Sequence, residues 1–290
     1  MHEHQPMTQR CISLLLLLLL AGCTSGNRTG EGDATIRELR QTHRVQSLHS
    51  TNPLPRMAWV QQRQLDIADG EMTIQIYSPG GNGLPVILLL PSIDFTSGDL
   101  VTHDRIARAL AVDTPALVIL PALPQQPEAD TASTWNAADG ILDWLSTRVE
   151  RWGGSAQCIT LVAEGAGAGT ALELARRNRD TGALNLAGIV LPTPYFGSNP
   201  LPEHDDLEGL PPVLMLLGAD DPNHDQGSTL SARLQKAGTR IRTRLETKQG
   251  PLRSDWALAD PSVYEVVLET AREVNEFFSA CQSTQSSRTF

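Results

Sequence analysis

The run Ile159-Thr-Leu-Val-Ala-Glu-Gly-Ala-Gly-Ala168 decides the fold. Ile159 to Ala163 is apolar with no polar alternation, which predicts a strand covered on both faces. Small residues then crowd around Gly165, and Ala166 to Arg179 carries helical periodicity. Strand, tight turn and helix make one crossover unit of a parallel sheet. The same alternation extends in both directions. Apolar runs at Val86 to Leu90, Ala116 to Leu120, Ala187 to Leu191 and Val213 to Leu217, with a last strand at Arg240 to Glu246, are separated by amphipathic stretches at Leu100 to Ala111, Ser133 to Trp152, Gln226 to Ala237 and Pro261 to Cys281. Two alternating segments come first, Trp59 to Ile67 and Met72 to Tyr77, joined by Ala68-Asp69-Gly70, and they predict an antiparallel hairpin at the sheet edge. The fold class is therefore α/β: a mainly parallel, doubly wound sheet with helices on both faces.

Composition narrows the function. The chain has 290 residues, 40% hydrophobic, enough for one packed core. Lys and Arg number 23 against 33 Asp and Glu, a net charge of -10 that repels phosphate backbones, so nucleic acid is excluded as a partner. Four cysteines without a C-x-x-C pair argue against a zinc ribbon or a redox motif, and no cofactor is implied.

Arg10, seven leucines from Leu14 to Leu20, then Leu20-Ala-Gly-Cys23 give a basic start, an apolar core and a cleavage zone, the order of an export signal. The apolar core is about half the length a spanning helix needs. Leu20 to Cys23 resembles a bacterial lipobox, which implies acylation of Cys23 and attachment to a membrane. Thr24 in place of an aspartate favours, by the same resemblance, the outer membrane facing the periplasm. Met1 and Met7 are both workable starts. The expected organisation is a signal peptide over 1–22, a lipidated N-terminus and flexible tether over 23–55, one folded domain over 56–282 and a disordered tail over 283–290. Thr35 to Val45 is a short helical stretch within that tether.

From Met57 to Cys281 the element order resembles the α/β-hydrolase fold. Ile159 to Ala168 falls where that family carries G-x-S-x-G, and Val213 to Pro222 resembles its strand bearing the acidic triad member. Pro91-Ser92-Ile93 falls where its oxyanion loop begins. A flavodoxin-like or Rossmann fold fits less well, because Gly165 to Gly169 comes late and lacks an acidic residue about twenty positions on. The resemblance places Gly165 at the nucleophile position, where no side chain can attack a carbonyl. Reading Glu164 as a carboxylate nucleophile would need a one-residue shift that breaks the match. Asp221 remains as a relic acid or an Asx turn, and the only histidine after it, His224, lies in the acid's own loop; Thr247 to Arg253, the expected histidine loop, has none. The backbone N–H groups of Ile93 and Ala166 are left as an oxyanion-hole-like pair, aided by the positive helix N-terminus.

These vacancies lead to the expectation of a non-catalytic binding or assembly module, a pseudoenzyme whose partner is an envelope protein or a small ligand. The alternatives are a hydrolase by another route or a small-carboxylate binder. That other route is either metal-assisted, through His204, Asp206, Asp221 and His224, or built on a relocated nucleophile such as Ser92, Ser97 or Ser254. Cys158 and Cys281 are expected at the same lower sheet edge, since parallel strands start together and the last helix runs back. In the family this helix crosses the central strands, so a disulfide in an oxidising periplasm is plausible on both grounds.

Overall fold

A computed structural model describes residues 29–49, 53–68, 70–91, 98–197, 199–219, 221–246 and 261–286. The signal run, Cys23, Ser92, Ile93, Ser97, Ser254 and the Thr247 to Arg253 loop lie outside these residues. The chain divides into two compact units, Met1–Arg37 and Glu38–Phe290.

Eight strands form one sheet: β1 (Trp59–Ile67), β2 (Gly70–Ser78), β3 (Leu84–Leu90), β4 (Leu117–Pro121), β5 (Gly154–Ala163), β6 (Leu186–Pro192), β7 (Val213–Gly218) and β8 (Ile241–Glu246). Their order is β1-β2-β4-β3-β5-β6-β7-β8. β1 and β2 pair antiparallel, as does β2 with β4, and all remaining pairs are parallel. The helices are α1 (Thr29–Leu48), α2 (Asp104–Asp113), α3 (Thr131–Arg148), α4 (Gly167–Thr181), α5 (His204–Leu207), α6 (His224–Lys236) and α7 (Pro261–Ser286). One face of the sheet buries Ile141, Leu174 and Leu234 from α3, α4 and α6. The other buries Leu110 of α2 with Val267 and Phe278 of α7. Both faces of β3 and β5 are consequently dry, which is why their sequences show no alternation.

Two segments differ from expectation. α1 occupies much of the stretch read as a tether, and from Glu38 on it is held by Arg40 Nη1 to Glu128 Oε2 (2.8 Å) and Arg44 Nε to Asp99 Oδ2 (2.5 Å). These partners are distant in sequence, so composition alone hid them. Burial pushes the Asp99 carboxyl up, but the Thr102 N–H and Arg44 outweigh it and hold it below its ordinary value. At the other end α7 runs to Ser286, so the first residues of the expected tail are helical. Among the described residues no helix is long and apolar enough to cross a membrane.

Cys158 lies within β5 and Cys281 within α7, buried, with Cα atoms 6.0 Å apart and paired as a disulfide across 123 residues of sequence. The final helix brings Cys281 back to the strand's starting half, the route that parallel topology requires. Closing a loop of this size stabilises by up to about 4.7 kcal/mol in the chain-entropy model. Reduction, or Cys281→Ser, is expected to lower the urea midpoint of oxidised protein clearly. A midpoint indifferent to reductant would contradict the linkage.

Candidate active site

β5 ends at Ala163, and the chain reverses through Glu164, Gly165 and Ala166 before α4 begins at Gly167. Gly165 has φ +51°, the left-handed region that a side chain adopts only with strain. Gly167 is required for a different reason: a Cβ there would lie 2.6 Å from the Leu90 carbonyl oxygen at the end of β3. The turn is fixed on several sides. Gly167 N–H donates to Glu164 O (2.8 Å), Gly165 N–H to Pro192 O (3.2 Å) and Tyr195 N–H to Gly165 O (2.9 Å). The segment after β6 thus brackets Gly165.

Below the turn lies a buried hydrogen-bonded pair that no local pattern in the sequence signals. Glu164 is fully buried, and its Oε2 lies 3.0 Å from Nε2 of His103, which is also buried. His103 Nδ1 meets Thr102 Oγ1 at 3.0 Å, and Thr102 in turn accepts from the Asp99 N–H (2.9 Å). The relay runs from the elbow to the residue that anchors α1. It also disposes of Glu164 as a nucleophile, because its carboxylate is committed to His103 inside the core. Thr193 was missed as well. Its φ is +45°, rare for a β-branched residue, and its buried hydroxyl has no partner among the described residues. The only sequence signal was its place between Pro192 and Pro194.

The proposed metal ligands do not converge. Local loop bonds occupy them instead: His204 Nδ1 meets Asp205 Oδ1 (3.3 Å) on the exposed end of α5, and Asp206 Oδ2 accepts from Glu203 N–H (3.3 Å). Asp221 Oδ1 accepts from Asn223 N–H (2.8 Å), the Asx turn that the sequence offered as one reading. His224 Nδ1 lies 2.8 Å from the Gly218 carbonyl. A carbonyl only accepts, so Nδ1 carries a proton, and in the neutral ring the lone pair is on Nε2. Among the described residues no group of three His, Cys, Asp or Glu is placed to hold a metal ion.

Ala166 lies at the start of α4, where backbone N–H groups and the helix dipole favour developing negative charge. Beside it opens a cavity of about 510 Å³ bounded by α3, α4 and the segment from Phe196 to Asp206. Sheet order, elbow turn and crevice together define an α/β-hydrolase fold. A family described as alpha/beta hydrolase fold matches residues 94–203. The chain is 24% identical over 215 residues to the carboxylesterase NlhH of Mycobacterium tuberculosis, covering 59% of this chain and 67% of that protein. Among solved structures it is similar to a hyperthermophilic esterase from the archaeon Pyrobaculum calidifontis, with a TM-score of 0.72 at 19% identity, covering 83% of this chain and 93% of that one. A thermostable esterase from Pseudomonas putida aligns with a TM-score of 0.75 at 16% identity, covering 96% and 99%.

These likenesses overturn the expectation of a non-catalytic pseudoenzyme module. The relatives are esterases, so the hydrolase alternative fits better. The expectation weighed two missing side chains, whereas the turn and the backbone donor at Ala166 do not depend on side chains.

The buried pair generates a stability prediction. His103→Leu removes the imidazole that the buried Glu164 carboxyl bonds to, and taking one partner from a buried polar pair typically costs about 1–3 kcal/mol or more. His204→Leu, at an exposed site, is expected to cost under about 0.5 kcal/mol. Urea unfolding of both variants checks the contrast; equal midpoints would contradict it.

Proposed function

We propose that this protein hydrolyses carboxylic esters in the crevice above Gly165, with an attacking hydroxyl that does not come from the elbow. The carrying observation is the intact turn, with positive φ at Gly165 and Gly167 pressed on the Leu90 carbonyl, in a chain similar to carboxylesterases. Thr193, whose hydroxyl is buried, and Tyr195 both carry hydroxyls on the segment that brackets Gly165, and Ser92 follows β3 in the sequence; Thr193 and Ser92 are the aliphatic hydroxyls of the set. The hydroxyl oxygen attacks the ester carbonyl carbon, its proton passes to Nε2 of His224, and the leaving alcohol takes that proton. Water then attacks the acyl carbon and gives a proton to Nε2 of His224; the bond from that carbon to the protein's oxygen breaks, the oxygen takes the proton back, and the acid leaves. The oxyanion formed on the way meets the Ala166 N–H, with Ile93 as the second donor on the family's pattern. The scattered positions of His204, Asp206, Asp221 and His224 favour this relocated-nucleophile route over a metal-assisted one.

Purified protein is expected to turn over p-nitrophenyl acetate above the buffer rate, with chelator present or absent. His224→Gln is expected to reduce kcat by about 10²–10⁴-fold, the usual contribution of a general base. No turnover by the wild type, measured against a heat-unfolded control, would contradict the proposal.

We propose separately that the chain sits at the cell envelope, held by lipid on Cys23 and facing the periplasm from the outer membrane. Leu20-Ala-Gly-Cys23 supports this, and buried acyl chains add about 0.8 kcal/mol per methylene. Cys23→Ser is expected to leave the membrane fraction; a variant that still sediments after a high-salt wash would refute the anchor.

A further inference from the structure

Pro192 to Gly197 carries the chain from the end of β6 to the wall of the cavity, and three elements hold this segment. Thr193 N–H donates to Leu216 O of β7 (2.8 Å), Tyr195 N–H to Gly165 O of the elbow (2.9 Å) and Phe196 N–H to Oε1 of Gln226 on α6 (2.9 Å). The first two join backbone to backbone. The third depends on a side chain, so there alone among the three does residue identity decide the bond.

Gln226 makes two bonds with one amide. While its Oε1 takes the Phe196 N–H, its Nε2 donates to the Gly197 carbonyl (3.1 Å). An N–H only donates and a carbonyl only accepts, so one amide orientation serves both. The chain turns within this clamp: Gly197 has φ +59°, and Asn199 N–H closes back on Phe196 O (2.9 Å). Helix α6 is seated closely on the same segment, since a Cβ at Gly227 would come within 3.5 Å of the Pro194 ring and 2.5 Å of the Leu217 side chain. His224 stands one half-turn earlier on α6, so the helix that bears the general base also bears the clamp.

The clamp fixes a ring. Phe196 is buried, and its edge lies against the bare face of α4 at Gly169, 3.8 Å from where a Cβ would be. Phe196, Gly169, Leu172 and Trp135 form the apolar side of the cavity that opens beside Ala166. On the charged side, Glu173 is bonded by Arg176 and Arg177, and Glu203 by Arg233, so these charges are committed to one another. Discrimination therefore falls to apolar contact and to where the Phe196 ring stands.

We infer that Gln226 is a positioning residue for substrate: by clamping the Phe196–Gly197 turn it sets the apolar wall that receives an uncharged alkyl arm of the ester. The inference rests on the hydrolase reading of the same site, and binding without turnover separates the two.

N-methyloctanamide and N-octylacetamide carry the alkyl arm on either side of a carbonyl without a scissile ester. In calorimetric titration at least one of them is expected to bind the wild type more tightly than N-methylacetamide. Gln226→Met, which keeps the length of the side chain and loses both hydrogen bonds, is expected to weaken that binding by ~10-fold. Gln226→Glu keeps an acceptor for the Phe196 N–H and loses the donor to Gly197, and is expected to fall between; it also serves if Gln226→Met does not fold. Faster hydrogen exchange of the Phe196 amide in Gln226→Met, with that of Tyr195 unchanged, shows loss of the clamp rather than of the fold. Among esters, the octanoate-to-acetate ratio of kcat/KM for p-nitrophenyl esters, or the octyl-to-methyl ratio for acetates, is expected to drop ~10-fold in Gln226→Met, with the loss in KM. Octyl-amide affinity no better than that of N-methylacetamide, or indifferent to both substitutions, would overturn the inference. Weakened binding in the variants with no ester turnover by the wild type would sink the hydrolase reading alone. Turnover whose arm ratios survive the substitution would sink the assignment of Gln226 alone.

Discussion

A single carbon atom added at Gly167 would meet the Leu90 carbonyl oxygen at 2.6 Å, and most of the crevice follows from that contact. The close approach pins the start of α4 to the end of β3, so the strand-to-helix reversal takes three residues and forces Gly165 to positive φ. It also aims the first N–H groups of α4 at the carboxyl edge of the sheet. Without it the helix would stand off, and the donor at Ala166 would no longer face the crevice. The bonds from Gly165 N–H to the Pro192 carbonyl and from Tyr195 N–H to the Gly165 carbonyl lock the same turn from the β6 side.

The Gly165 substitution and the turn are physically consistent. A glycine at φ +51° removes the strain that any side chain would carry there, so the elbow is retained with less conformational cost than in a chain bearing a nucleophile at the apex. Thr193, two strand ends away in sequence but adjacent through these bonds, carries a positive φ instead. Strain of this kind persists where surrounding structure enforces it, and here the enforcement comes from Thr193 N–H to Leu216 O (2.8 Å) and from the flanking prolines. The hydrolase account uses this hydroxyl-bearing segment together with His224, whose tautomer is set by the Gly218 carbonyl.

Local pattern carried the fold. The buried strands β3, β5, β6 and β7 read directly from continuous apolar runs, because both sheet faces are covered; the alternating Trp59 to Ile67 and Met72 to Tyr77 read as the edge hairpin for the converse reason. Gly165 and Ala166 were legible because a tight turn admits few residue types. The His103–Glu164 pair was not, since 61 residues separate partners that only β5 and the start of α2 bring together. Arg44 with Asp99 was hidden in the same way, so α1 read only as a short helix over Thr35 to Val45 within a tether. The acidic clusters offered two readings: His204, Asp206 and Asp221 have the chemistry of ligands, but short loops consume them in local hydrogen bonds, as the Asx-turn reading of Asp221 allowed.

The central claim is that chemistry occurs around the Gly165 turn from a residue outside it. Its most direct test is a fluorophosphonate probe on native protein, followed by mass spectrometric location of the adduct. The account predicts a single adduct on a peptide that carries Thr193 or Ser92, lost on unfolding before labelling and retained in Gly165→Ala. Ester turnover with no adduct on either peptide would contradict it.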